Sequence, residues 1–154
     1  SEMCIRDSSM PVRYHNRRPV VGSRYQHEPD LLTLARWADF LVLTCPGGQA
    51  TYHLIDAKVL EALGPDGFLI NVARGSVVDE AALIAALQQK VIGGAGLDVF
   101  EREPQVPAAL RELDNVVLLP HVGSASVETR QQMADLVLDN LRAFIATGKL
   151  LTPL

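Results

Sequence analysis

The stretch Phe68–Val99, FLINVARGSVVDEAALIAALQQKVIGGAGLDV, decides the fold of this chain. It opens with an apolar run at 68–73 that is typical of a buried strand, and a helical pattern follows at 79–89 with Asp79 as its N-cap. A second strand is predicted at 93–99, where small residues allow close packing. A strand, a helix and a strand in this order predict a parallel βαβ unit.

The same alternation extends to both sides of this stretch. Strands of nearly continuous apolar content, separated by helices, predict an α/β protein with a doubly wound parallel sheet of Rossmann type. The further predicted strands lie at 11–15, 40–45 and 116–119, and the further predicted helices at 30–37, 56–63 and 126–147.

The first residues, SEMCIRDSSM at 1–10, show neither a strand nor a helix period. We expect residues 1–9 to be a leader of non-native origin, and a disordered native tail is the alternative. No apolar run in the chain approaches the length of a membrane span.

Bulk composition narrows the class of protein. With 154 residues and 48% hydrophobic residues the chain is long and apolar enough for a globular core. A net charge of −4 gives no reason to expect nucleic-acid binding. Two cysteines, Cys4 and Cys45, make no disulfide framework, so a reducing cytoplasm is expected, and no metal site is predicted.

Polar residues follow several of the predicted strands. Because the carboxyl ends of parallel strands meet at one edge of a sheet, and ligands bind beyond that edge, these residues are candidates for a shared site. They are Asn16-Arg17-Arg18, Cys45-Pro46, Arg74-Gly75, Asp98 and Pro120-His121.

Three kinds of side chain in this group or close to it in sequence suit catalysis. The guanidinium of Arg74 could hold a carboxylate with two parallel hydrogen bonds, although a solvated surface arginine is the alternative. His121 emerges beside glycine and could transfer a proton to a reacting oxygen, although a packed histidine is the alternative. A carboxylate from Glu101 or Glu103 could fix the tautomer of a histidine, and solvated loop acids are the alternative.

Asp98 ends an apolar strand, and we therefore expect it to be partly buried and to need a hydrogen-bond donor. A nicotinamide carboxamide is one candidate for that donor, and a backbone N–H group is the other.

Three blocks of sequence resemble the D-isomer-specific 2-hydroxyacid dehydrogenases. They are NVARGSVVDEAALIAAL at 71–87, GGAGLDVFEREP at 93–104 and LLPHVGSAS at 118–126. The spacing agrees as well, with 29 residues from Arg74 to Glu103 and 18 from Glu103 to His121. The similarity runs from about Met10 to the end of the chain.

This resemblance implies a role for each catalytic candidate. Arg74 would bind the carboxylate and carbonyl of a 2-oxo acid, His121 would protonate the carbonyl oxygen, and Glu103 would keep His121 protonated. The cofactor would deliver the hydride. The residues implied to line the dinucleotide are Cys45, Pro46, Thr51, Val72, Ala73, Arg74, Asp98, His121 and Gly123.

Cofactor preference is predicted from the end of the strand at 11–15. An acid at this place normally accepts hydrogen bonds from the ribose hydroxyls of NAD. Here Asn16 stands there, followed by Arg17 and Arg18, which can pair with a 2′-phosphate. The segment resembles the NADP-using glyoxylate and hydroxypyruvate reductases of the family, so we expect NADP to be preferred and NAD to remain possible. Solvated basic residues are the alternative.

The chain departs from the family pattern because a first strand with a GxGxxG turn is absent from these residues. We therefore expect residues 10–125 to form a partial dinucleotide-binding domain. Residues 126–154 would form a helix and tail that pack toward a substrate domain. The resemblance implies that a full-length parent is a homodimer acting on a small 2-oxo acid, and that this fragment alone is inactive. A dinucleotide-sensing corepressor on the same fold and an inert remnant are the competing hypotheses.

Overall fold

A computed structural model describes residues 8–153 of the chain. They belong to two compact units, one ending at Leu118 and the other beginning at Leu119. Most of the predicted leader, residues 1–7 with Cys4, lies outside the described residues.

A small parallel pair of strands comes first in the chain. β1 (Arg13–Tyr14) pairs with β2 (Gln26–His27), and the Glu28 N–H donates to the Tyr14 carbonyl at 2.8 Å. The strand predicted at 11–15 is therefore present but shorter. Its partner β2 was not predicted, because two polar residues carry no apolar period.

The main sheet of the first unit has four parallel strands in the order β3-β4-β5-β6. They are β3 (Phe40–Leu43), β4 (Phe68–Asn71), β5 (Gly94–Leu97) and β6 (Val116–Leu118). This arrangement confirms the predicted Rossmann-type parallel sheet, and each strand begins within one residue of its predicted start.

Helices join the strands of the main sheet, and aspartates cap three of them. Asp30 accepts from the Thr33 N–H at 2.9 Å, Asp56 from the Val59 N–H at 3.0 Å and Asp79 from the Ala82 N–H at 3.0 Å. These side chains satisfy N–H groups that a helix start leaves unpaired. The helices are α1 (Leu31–Trp37), α2 (Ala57–Leu63), α3 (Glu80–Gln88) and the unpredicted short α4 (Ala108–Arg111).

The hydrophobic core lies between these helices and one face of the sheet. Leu41, Leu69 and Leu97 on the strands belong to the same buried cluster as Leu60 and Leu87 on α2 and α3. Successive strand residues point to opposite faces, so the neighbouring residues cover the other face. Among residues 8–118 that second face carries exposed apolar side chains, namely Phe40, Val42, Phe68 and Val117.

The second unit is built on one long helix, α5 (Val127–Thr147), which confirms the helix predicted at 126–147. Ser126 caps its start, and Gly148, with a left-handed φ of 72°, ends it by donating to the Phe144 carbonyl. The Asn140 side chain accepts from the Leu151 and Thr152 N–H groups, which folds the tail back along the helix.

α5 also presents a row of exposed apolar side chains, including Met133, Leu136, Val137, Leu141 and Phe144. Nevertheless, neither α5 nor any other helix within residues 8–153 has the length and apolarity needed to cross a membrane.

Because the core lies on one face of the sheet, we expect two apolar residues of the sheet to contribute differently to the free energy of unfolding. Leu69 is fully buried. Its replacement by alanine should lower the free energy of unfolding by about 2–5 kcal/mol, since a cavity remains. Val117→Ala is the matched control, because Val117 is 63% exposed and its loss should stay below about 1 kcal/mol. Urea unfolding of the chain followed by circular dichroism measures both, and equal losses would contradict this placement of the core.

Candidate functional site

A buried asparagine organises the loop after β4. The Asn71 side chain is 1% exposed; its Oδ1 accepts from the Ala73 N–H at 3.0 Å and its Nδ2 donates to the Arg74 carbonyl at 3.1 Å. An amide at this depth needs such partners, because burying it unpaired is costly. Asn71 therefore fixes the path of residues 72–74. Sequence reasoning missed this role, although a polar residue ending an apolar strand was a usable signal.

Arg74 lies at the rim that the strand-end rule indicated. Its Nη1 donates to the Ala73 carbonyl at 2.6 Å, and its side chain is exposed. A short 3-10 turn, Gly75–Val77, follows directly. The guanidinium is thus tethered at one nitrogen, and its other N–H groups are available to an anion.

A cleft of about 700 Å³ opens between the loop after β3 and the loop after β4. Thr51 stands behind the first loop, where its hydroxyl donates to the Pro46 carbonyl at 2.7 Å. A β carbon on Gly47 would lie 2.7 Å from Cγ of Arg74, so the two loops approach closely at that glycine. The cleft is lined by Thr44, Cys45, Pro46, Gly47, Gly48, Val72, Ala73, Arg74 and Ser76.

Cys45 forms part of the wall of this cleft and is half-buried. Burial raises the pKa of the Cys45 thiol above its ordinary value, because a thiolate loses solvation there. The side chain is consequently a neutral thiol near pH 7 and acts as an apolar surface of the cleft.

Asp98 follows β5 and is more deeply buried than predicted, at 4% exposure. Its N–H donates to the Asn71 carbonyl at 3.0 Å, so the ends of β4 and β5 are joined at the rim.

The loop after β4 that carries Arg74 is called the Arg74 loop below, and the loop after β5 that carries Glu101 and Glu103 is called the Glu103 loop. The two loops are in contact at Gly75. A β carbon on Gly75 would lie 2.0 Å from the Phe100 carbonyl carbon and oxygen, so the two backbones are in direct contact. Glu103 is exposed, and its Oε1 accepts from the Phe100 N–H at 3.1 Å.

Glu101, one of the two acids considered from sequence, pairs with a histidine within the first unit. Its Oε1 lies 3.2 Å from Nε2 of His53. Sequence reasoning missed His53, and no local pattern marks it, because its partner lies 48 residues further along the chain.

The Asn16-Arg17-Arg18 segment lies in the exposed loop directly after β1. Two side chains from the small strand pair fasten this loop. His27 Nε2 lies 2.9 Å from the Asn16 carbonyl, and the Val20 N–H donates to the Tyr14 hydroxyl at 2.8 Å. Both ends of the basic segment are therefore held.

His121 and Gly123 belong to the second unit, whereas Arg74 and Glu103 belong to the first. His121 is exposed and has a left-handed φ of 56°. The Ala125 N–H donates to the Val122 carbonyl at 3.0 Å, which forms a turn around Gly123 before α5. The pairing of Glu103 with His121 stays a prediction.

Two proteins to which this chain is similar are both named as reductases. The chain is 53% identical over 144 residues to a 2-ketogluconate reductase of Gluconobacter oxydans, covering 94% of this chain and 46% of that protein. It is 51% identical over 143 residues to a hydroxyphenylpyruvate reductase of Plectranthus scutellarioides, covering 93% and 46%. The chain thus spans about half the length of the curated relatives it matches.

A solved structure agrees with this result. It is an NADPH-dependent glyoxylate/hydroxypyruvate reductase of Sinorhizobium meliloti in complex with NADP and malonate, 51% identical, with a TM-score of 0.96 over 99% of this chain and 48% of that one. The model of the D-isomer specific 2-hydroxyacid dehydrogenase NAD-binding domain matches residues 3–123. By its sequence and by its fold, the chain belongs to the D-isomer specific 2-hydroxyacid dehydrogenase family.

Proposed function

We propose that this chain is the dinucleotide-binding part of an NADPH-dependent reductase that converts a small 2-oxo acid, of the glyoxylate or hydroxypyruvate type, into a D-2-hydroxy acid. The observation that carries the proposal is the cleft at the ends of β3 and β4, with the Arg74 guanidinium at its rim. The relatives support it, since their names describe reductases of 2-oxo acids.

The residues present fit a dinucleotide. The cleft volume lies within the range of about 300–1,000 Å³ that is usual for small-molecule sites. Glycine, alanine and a neutral thiol leave room along its walls for flat rings and sugars. Cys45, Pro46 and Val72-Ala73 would contact the adenosine and nicotinamide-ribose side, Thr51 would support Pro46, and the buried Asp98 would face the nicotinamide carboxamide.

The fastened loop after β1 supports a preference for NADP. Asn16 replaces an acid that would repel a 2′-phosphate, and Arg17 and Arg18 can each donate charge-assisted hydrogen bonds to it. Holding the Asn16 carbonyl through His27 reduces the entropy lost when the phosphate binds. NAD remains a possible second cofactor.

The protein groups would bind and protonate the substrate. When bound, the reduced nicotinamide supplies a hydride to the keto carbon. Arg74 would bind the substrate carboxylate with two hydrogen bonds and orient the carbonyl. His121, as imidazolium, would donate its proton to the carbonyl oxygen as the C–O π electrons move onto that oxygen. Glu103 would stabilise the charged ring and fix its orientation.

Other features of the parent protein are proposed on the family likeness alone. They are a homodimeric assembly and a cytoplasmic location. The corepressor hypothesis has less support, because the relatives named above are reductases.

Activity can be tested in a hybrid enzyme, in which this chain replaces the matching 48% of the Sinorhizobium meliloti reductase.

For Cys45 in that hybrid, we expect slow alkylation by iodoacetamide at pH 7.5, because burial raises the pKa of the thiol and thiolate is scarce. The rate should rise at higher pH than for a cysteine in an unfolded peptide. NADPH should slow it further, and mass spectrometry of the Cys45 peptide measures both effects. An unchanged rate at saturating NADPH would contradict the assigned cleft.

Cofactor choice depends on the basic segment. Asn16→Asp combined with Arg17→Ser and Arg18→Ser should weaken NADPH use by at least about tenfold relative to NADH, since two charge-assisted contacts of roughly 1.5–3 kcal/mol each are lost. The ratio of kcat/KM for the two cofactors measures this. A hybrid with Arg36→Ser, Arg111→Ser and Arg142→Ser, which removes three exposed helix arginines, makes the same change in net charge and is the control. An NADPH/NADH ratio that stays the same would reject the role of the loop.

Substitutions of the three proposed catalytic residues should give three different kinetic results. His121→Ala should lower kcat by about 10²–10⁴-fold with little change in cofactor affinity. Arg74→Ala should raise the substrate KM and lower kcat together. Glu103→Gln should move the pH optimum for reduction to lower pH, because an uncharged amide stabilises a protonated imidazole less well. Steady-state kinetics across pH measure all three, and a profile that Glu103→Gln leaves in place would remove that role.

A further inference from the structure

The backbone of His53 is joined to the segment that follows Arg74. The His53 N–H donates to the Ser76 carbonyl at 2.9 Å, and the Ile55 N–H donates to the Val77 carbonyl at 3.0 Å. His53 itself has a left-handed φ of 49°. Such a conformation is unfavourable for a non-glycine residue, and it persists where the surroundings impose it.

The imidazole ring of His53 lies between two carboxylates. Nε2 is 3.2 Å from Oε1 of Glu101, and Nδ1 is 4.0 Å from Oδ2 of Asp79. The Tyr52 ring stacks on the imidazole, with centroids 3.9 Å apart. All three side chains are only about a quarter to a third exposed, so water competes for these contacts less than at the surface.

Glu101 belongs to the loop that carries Glu103. Its N–H donates to Oε2 of Glu80 at 3.2 Å, and Glu103 closes the same loop by accepting from the Phe100 N–H. This loop meets the Arg74 loop at Gly75, where the backbones touch. His53 therefore holds the Arg74 loop through its main chain and the Glu103 loop through its side chain.

We propose that His53 is a positioning residue, which sets the Arg74 loop and the Glu103 loop in register by bridging Ser76 and Glu101. The inference rests on the proposed function, because it concerns the geometry in which Arg74 binds substrate and Glu103 acts on His121. His53 lies outside the dinucleotide cleft lining and supplies no group to the reaction. Its effect is expected in turnover and not in cofactor binding.

Two substitutions at the same position separate the bridge from the backbone conformation. Asparagine tolerates a left-handed φ but is too short to reach Glu101, whereas the glutamine amide reaches about as far as Nε2 of histidine. In the hybrid enzyme His53→Asn should lower kcat by about tenfold, since small misplacements of catalytic groups reduce rates strongly. The KM for NADPH should change less than about twofold. His53→Gln should restore most of kcat, because it can donate to Glu101 again.

A double-mutant cycle tests whether the pair acts as a unit. Glu101→Ala should lower kcat about as much as His53→Asn, and the double variant should be no slower than either one. Glu61→Ala, which removes an exposed acid on α2, is the matched control and should leave kcat unchanged. If His53→Asn does not fold, Glu101→Gln, which keeps the side-chain volume and removes the charge, is measured as a single variant. It should lower kcat, and full kcat in it would overturn the inference.

The outcomes distinguish the inference from the proposed function. A wild-type hybrid without turnover, or one indifferent to Glu103→Gln, overturns the proposed function and the inference with it. An active hybrid in which His53→Asn keeps full kcat overturns the inference alone. Additive losses in the cycle, no rescue by His53→Gln, or an equal loss of NADPH affinity would do the same, since they indicate general destabilisation.

Discussion

The backbone of Gly75 lies so close to the backbone of Phe100 that a β carbon at position 75 would sit 2.0 Å from the Phe100 carbonyl. The rest of the rim depends on this contact. It places the loop that presents Arg74 against the loop that presents Glu103, and glycine is required there because any side chain would force the backbones apart. The Asn71 side chain donates to the backbone of the first loop at Arg74. Glu80 and His53 both contact Glu101 in the second loop.

This architecture separates the binding surface from the residues that align it. The cleft between the loops after β3 and β4 is formed by small and neutral groups, including the Cys45 thiol whose pKa is raised by burial. The polar side chains of His53, Asp79 and Glu101 form a network beside it. Such a division allows the alignment of catalytic loops to be altered without changing the surface that receives the dinucleotide.

The sheet has its core on one face within residues 8–118, and the other face carries Phe40, Val42 and Val117 at the surface. The rings of Phe40 and Phe68 stack 5.5 Å apart on that face. Parallel sheets normally have both faces covered, because their strands are apolar throughout. The strands of this chain were predicted to form a doubly wound sheet because their residues are apolar nearly throughout.

Local pattern determined the elements of the fold. The strands predicted at 68–73 and 93–99, the Asp79 cap of α3 and the long period of α5 were all readable from the sequence, since strand and helix periods depend on near neighbours. The positions of Arg74 and Asp98 at the ends of predicted strands also indicated that both residues lie at one rim. Tertiary structure alone decided that Glu101 pairs with His53, 48 residues away, and that β1 pairs with β2. Contacts between distant residues depend on how elements pack, and no local period records that packing.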